Sequence, residues 1–235
     1  MSLLNIFKLR YNKYMCGRFA LIITPAELEK IFGLRLDEEF NPRYNIAPSQ
    51  TVPVITYQEK DKKKKISIMK WGLVPSWAKD PSIGDRMINA RSETIQEKPS
   101  FRSAFQRRRA LIPTSGFFEW KQEGNAKNPY FIGMQEMETF AFAGLWERWV
   151  HDNNFLETFT ILTTEANKLI HPIHNRMPVI IPEKAYDRWL SPSTELSHLI
   201  PLLAPYSENK MEAYPISKLV NNPKNDVPEI LERFR

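Results

Sequence analysis

The sequence predicts an α+β fold in which short strands outnumber helices. Three observations carry that expectation. Runs rich in β-branched and aromatic residues, such as Phe155 to Leu162, recur along the chain between turn residues. The helical stretches are short. No shift in composition divides the 235 residues, and a 42% hydrophobic content suits one sizeable core. A single domain over 15–235 is therefore expected, preceded by an extension over 1–14. No apolar run approaches the roughly 20 residues that span a bilayer, so no membrane partner is expected.

Phe19 to Ile23 reads as the first strand, and Thr24-Pro25 with Glu27 opens a helix over about 25–32 that ends at Gly33. Residues 40–50 form a loop rich in Asn and Pro. Val52 to Tyr57 and Ile66 to Trp71 read as a hairpin, with the lysine run 62–65 as a solvated turn at its tip. Gly72 and Pro75 place Trp71 and Trp77 on a loop, where the indoles either pack inward or offer a stacking platform for bases. In Asn89-Ala90-Arg91 the amide and the guanidinium share one face of an extended backbone. A helix over 101–105 leads to Arg107-Arg108-Arg109, read as a solvated face. Strands follow at Ala110 to Pro113, Gly116 to Trp120, Pro129 to Gly133, Phe140 to Leu145 and Phe155 to Leu162. A short helix is expected over 165–170, then an irregular loop holding His171 and His174, then a strand at Val179 to Ile181. Amphipathic helices are expected over 182–190 and 193–203, a strand within 211–220, and a last helical turn near the end.

Several residues carry chemistry. Cys16 is the only cysteine, so no intrachain disulfide is available and a reducing compartment is indicated. A lone thiol is either a small buried hydrophobe or a nucleophile. Met15 decides the emphasis, because it resembles a translation start. Its removal would leave a cysteine carrying both an α-amine, of pKa about 7.7–8.0, and a thiol, of about 8.5. Both then have usable nucleophilic fractions near neutrality. An aldehyde meeting that pair forms an imine with the nitrogen, and the sulfur closes a thiazolidine on the same carbon. Residues 1–14 hold basic residues and no acid, but no secretory apolar core or cleavage site. They are either an upstream start or an extension removed during maturation. Glu119 lies within a strongly apolar strand, where a carboxylate is either paired with a cation or tuned for proton transfer. His171 and His174 have HxxH spacing, yet Pro172 between them and the lack of a further ligand argue against a metal. His174 suits general acid–base work or a structural hydrogen bond. The formal net charge of +6 fits a polyanionic partner without requiring one.

Met15-Cys16-Gly17-Arg18-Phe19, Tyr44-Asn45-Ile46-Ala47-Pro48, Trp71-Gly72-Leu73-Val74-Pro75, Asn89-Ala90-Arg91, Phe118-Glu119-Trp120 and His174-Asn175-Arg176-Met177-Pro178 together resemble the SRAP family. These are the SOS-response-associated peptidase-like proteins, also called abasic-site processing proteins. The resemblance covers residues 15 to about 230. It implies a single domain of curved, mostly antiparallel β-sheets flanked by helices. It also implies a protein that shields abasic sites in single-stranded DNA through a covalent thiazolidine on Cys16, with accompanying AP-lyase and self-processing peptidase activity. On that pattern Cys16 is the nucleophile, Glu119 shuttles protons, His174 is a second acid–base on the sugar, and Asn89 orients it. Arg18, Arg91 and Arg176 would hold phosphates, with Trp71 and Pro48 making apolar contacts beside the lesion. No cofactor or metal is expected, and a monomer in the cytoplasm is. Two alternatives stay open: an N-terminal-nucleophile cysteine amidohydrolase, and a non-covalent single-strand binder.

Overall fold

The computed structural model describes residues 16–58 and 61–234. The expected extension over 1–14 and the start-like Met15 lie outside the described residues, as do 59 and 60 in the first hairpin. Thirteen strands are described: β1 (Phe19–Leu21), β2 (Arg43–Ile46), β3 (Thr51–Gln58), β4 (Lys63–Trp71), β5 (Asn89–Arg91), β6 (Arg109–Thr114), β7 (Gly116–Glu123), β8 (Ala126–Met134), β9 (Phe140–His151), β10 (Asn154–Glu165), β11 (Arg176–Pro178), β12 (Ile180–Ile181) and β13 (Met211–Pro215). The helices are short: α1 (Pro25–Phe32), α2 (Arg102–Arg107), α3 (Tyr186–Leu190) and α4 (Leu196–Leu199). No helix among the described residues is long and apolar enough to cross a membrane.

One sheet runs β13-β8-β7-β1-β2, antiparallel throughout. The other runs β11-β10-β4-β3-β6-β9-β12, and a further long pairing of β9 with β10 closes β10-β4-β3-β6-β9 on itself. Closure removes the exposed edges that an open sheet of this size would carry. Only the contacts of β10 with β4 and β5 are parallel, so the expected α+β domain of curved, mostly antiparallel sheets is what forms. Gly144 permits the closure, because a Cβ there would lie 2.1 Å from Ile112 Cδ1.

Strand parity divides the core. From β1 and β7, Phe19, Leu21 and Phe117 face the interior between the sheets, where they meet Trp71, Phe142 and Phe159. Ala20 and Phe118 face the other way, onto Phe131, Tyr214, Val220 and Ile230 from the C-terminal segment. Glu119 lies two residues after Phe117, so the same alternation turns its carboxyl inward.

Local signals explain α1. Thr24 and Glu27 form a reciprocal capping box, Pro25 occupies the first turn, and Gly33 ends the helix at φ +63°. Elsewhere long-range pairing overrides local signals. The helix expected over 165–170 is absent. β10 runs on to Glu165, held there by pairing with Arg176, and Asn167 then turns the chain by accepting the Ile170 N–H. The segments 182–190 and 193–203 are broken into shorter helices, the second around Pro201. Lys63, Lys64 and Lys65 are not turn residues but part of β4, with Lys64 paired to Asp187 and Lys65 to Asp37. Nor is the arginine run wholly solvated. Arg109 is buried against the carbonyls of Phe105, Gln106 and Trp189, and Arg108 pairs with Glu147.

Candidate active site

Cys16 lies just before β1 with φ +40°, a left-handed backbone that a non-glycine residue adopts only under constraint. This kink breaks strand alternation ahead of β1. The Cys16 side chain therefore joins the interior core beside Phe19 and is 1% exposed. Its N–H donates to Glu119 Oε1 at 2.7 Å. Glu119 sits on β7 opposite Tyr130 of β8 and is itself 4% exposed. Asn89, on β5, reaches the carbonyl of Cys16 through Nδ2 in a long contact of 3.4 Å. The structure thus brings Cys16, Glu119 and Asn89 together from three separate parts of the chain.

Burial controls the protonation of this cluster. Desolvation pushes the Glu119 carboxyl up to about 8, against the opposing pull of N–H groups from Cys16 and Trp120. At neutral pH it is a carboxylic acid, able to give a proton as well as accept one. Desolvation, reinforced by Glu119, also drives the Cys16 thiol well above its ordinary value. Within the chain the sulfur is therefore a thiol near neutrality, with little thiolate.

β10 organises the second half of the site. Thr163 pairs with Arg91 on one edge and with Pro178 on the other, so β5 and β11 flank the same stretch. Along β5, Ala90 is buried, while Asn89 is half-buried and Arg91 exposed, as an extended backbone requires. His174 lies in the turn between β10 and β11. Its Nδ1 lies 3.1 Å from the Arg176 nitrogen and 3.3 Å from the Arg176 carbonyl oxygen, so the backbone of Arg176 holds the ring by that one atom. Desolvation first, then the charges of Arg176 and Lys127, hold the ring below its usual value. His174 is thus a neutral imidazole at pH 7. Arg176 is engaged: its two terminal nitrogens meet both oxygens of Glu93, and Nη2 also donates to Thr163 O at 2.7 Å.

Two expected contact residues are placed elsewhere. Arg18 shares the outward parity of Ala20 and is 5% exposed. Its Nη1 donates to Asn45 Oδ1 at 2.7 Å and to Val220 O at 2.6 Å, and the guanidinium lies over Trp120. These contacts place Arg18 on the far side of the sheet from Cys16. Trp71 is fully buried at the end of β4, edge-on to Phe19 and stacked on Phe159, with Nε1 donating to Ile88 O. Its ring is closed to any ligand in this conformation, because the strand carries it inward rather than leaving it on a loop. Pro48 is half-buried, and the turn it begins is fastened to the Trp71 backbone by the Ser49 and Trp71 N–H groups. Of the two loop indoles considered from sequence, Trp77 is the exposed one, at 60%. Glu93 was not singled out from sequence. Its only signal there is its place two residues after Arg91, on the same short segment.

A family model described as "SOS response associated peptidase (SRAP)" matches residues 15–223. Abasic site processing protein YoqW of Bacillus subtilis is 43% identical over 224 residues, covering 93% of this chain and 99% of its own length. Abasic site processing protein HMCES of Gallus gallus is 30% identical over 264 residues, covering 92% and 77%. A crystal structure of a protein from Bacteroides thetaiotaomicron superposes with a TM-score of 0.86 at 30% identity, covering 94% of this chain and all of that one. By its sequence this chain belongs to the SRAP family.

Proposed function

We propose that the protein processes abasic sites in single-stranded DNA by capturing the open sugar aldehyde on Cys16, once residues 1–15 have been removed. The observation that carries this reading is the 2.7 Å hydrogen bond from the Cys16 nitrogen to a buried carboxyl held near 8. Relatives sharing 43% and 30% identity bear the name abasic site processing protein, which points to the same class of substrate.

With Cys16 as the first residue, its α-amine attacks the sugar C1′ aldehyde and gives a carbinolamine. Glu119 donates a proton to the departing hydroxyl, and water leaves as the imine forms. The thiol then adds across C=N: sulfur bonds to carbon and the proton it releases ends on nitrogen. One water is lost overall. A sulfur that stays protonated until the imine exists suits this amine-first order. His174, held below its usual value and so neutral, serves as the second acid–base on the sugar and supports strand scission by β-elimination. Asn89 orients the adduct, and Arg91 and Arg176 face the flanking phosphates. Where the chain is made with residues 1–15, Glu119 already contacts the Met15–Cys16 amide nitrogen, as the leaving group of a self-cleavage would require.

A denaturing gel tests this. Protein beginning at Cys16, mixed with single-stranded DNA carrying one abasic site, is expected to give a shifted band. Cys16→Ala keeps the α-amine but removes the sulfur that closes the ring, so only a hydrolysable imine forms and the band should fall below about 1% of wild type. A band of equal intensity in Cys16→Ala excludes the sulfur of Cys16 from the link, and with it the thiazolidine. Arg91→Ala should lower the slope of log affinity against log salt by about 0.7, the loss of one phosphate contact on a single strand. An unchanged slope removes Arg91 from the DNA contact.

A further inference from the structure

The terminal nitrogens of Arg176 grip both carboxylate oxygens of Glu93, in the fork-to-fork arrangement a guanidinium uses for two oxygens of a phosphodiester. Arg176 is fixed from behind by Thr163 O, and its side chain is 12% exposed, so it presents one outward face, and Glu93 covers it. Glu93 is differently held. Its side chain is 45% exposed and rises from a three-residue 3₁₀ turn, Ser92–Thr94, directly after the exposed Arg91. Hydrogen bonds from Arg176, and then the charges of Arg176 and Arg91, hold its carboxyl below the usual range. A single carboxylate therefore lies within the field of both arginines at the end of β5.

We infer that Glu93 is an internal stand-in for a DNA phosphate, seated on Arg176 in the free protein and displaced when a strand enters. The inference rests on the DNA-binding reading above. Its consequence is an affinity set below what the arginines alone would give, because each binding event must first separate the Glu93–Arg176 pair. Such a device discriminates against weakly bound undamaged strands, since only a strand held by further contacts offsets the loss.

The test is a double-mutant cycle of binding to an undamaged oligothymidylate, which needs no chemistry at Cys16. Glu93→Gln is expected to bind about 3–10-fold tighter than wild type, the range for releasing one partly exposed bidentate pair. Glu97→Gln, at a nearby exposed acid, controls for bulk charge and should shift affinity less than about twofold. In an Arg176→Gln background the gain from Glu93→Gln should vanish. Equal or weaker binding by Glu93→Gln overturns the inference and makes Glu93 a residue that positions Arg176. A gain that persists without Arg176, or that Glu97→Gln matches, overturns it too. The wild-type crosslink to abasic DNA is scored separately, so losing that band refutes the Cys16 reading without deciding this one.

Discussion

Glu119→Gln is expected to slow formation of the covalent DNA adduct by about 100-fold or more, the usual contribution of a positioned general acid–base. The same change should stabilise the fold in alkali. Burial raises the Glu119 carboxyl to about 8, whereas in an unfolded chain it titrates near 4.3. Between those values the native state keeps a proton that the unfolded state has released. Stability therefore falls with rising pH across that window, by about 1.4 kcal/mol per unit and about 5 kcal/mol in all. Glutamine has no proton to lose. The variant should melt about 10 °C above wild type at pH 9, and level with it below pH 4. Parallel melting curves across pH would show that Glu119 is not kept protonated, and an unchanged crosslinking rate would remove it from the mechanism.

The second large effect concerns Asn45, which ties β2 to the C-terminal segment. Its Nδ2 lies within hydrogen-bonding distance of the carbonyls of Val220, Asn222 and Asn225, and its Oδ1 accepts from the buried Arg18. Asp226 completes the join, accepting the Tyr44 and Asn45 N–H groups and pairing with Arg43. Asn45→Ala removes the amide donor from the carbonyls of Asn222 and Asn225 and one of the acceptors of the buried Arg18, which keeps Val220 O, at a cost of about 3 kcal/mol. Thermal denaturation should register a fall of roughly 6–12 °C. A shift within 2 °C would mean that solvent reaches these groups and that the join is not a buried network.

Local and alternating patterns were the legible part of the chain. The capping box of α1 needs only Thr24, Pro25, Glu27 and Gly33, all within one short segment. Asn89 and Arg91 share a face because the backbone alternates, and Glu119 stood out because a carboxyl interrupted an apolar strand. What stayed hidden depends on partners distant in sequence. The face that Arg18 turns to is decided by the left-handed kink at Cys16 and by the C-terminal segment that receives its guanidinium. Gly72 and Pro75 point to a loop at Trp71 while the run from Ile66 points to a strand end, and pairing with β10 decides for the strand. Glu165 entered a strand rather than a helix because Arg176 pairs with it. Glu93 has no meaning until β10 and β11 bring Arg176 to it.

The most direct measurement is mass spectrometry of the peptide recovered from protein linked to abasic DNA. The expected species starts at Cys16 and carries the sugar-phosphate remnant with the loss of one water, on the terminal residue alone. A linked peptide that still contains the Met15–Cys16 bond, or one bearing the sugar on a lysine, would contradict capture by the nitrogen and sulfur of Cys16.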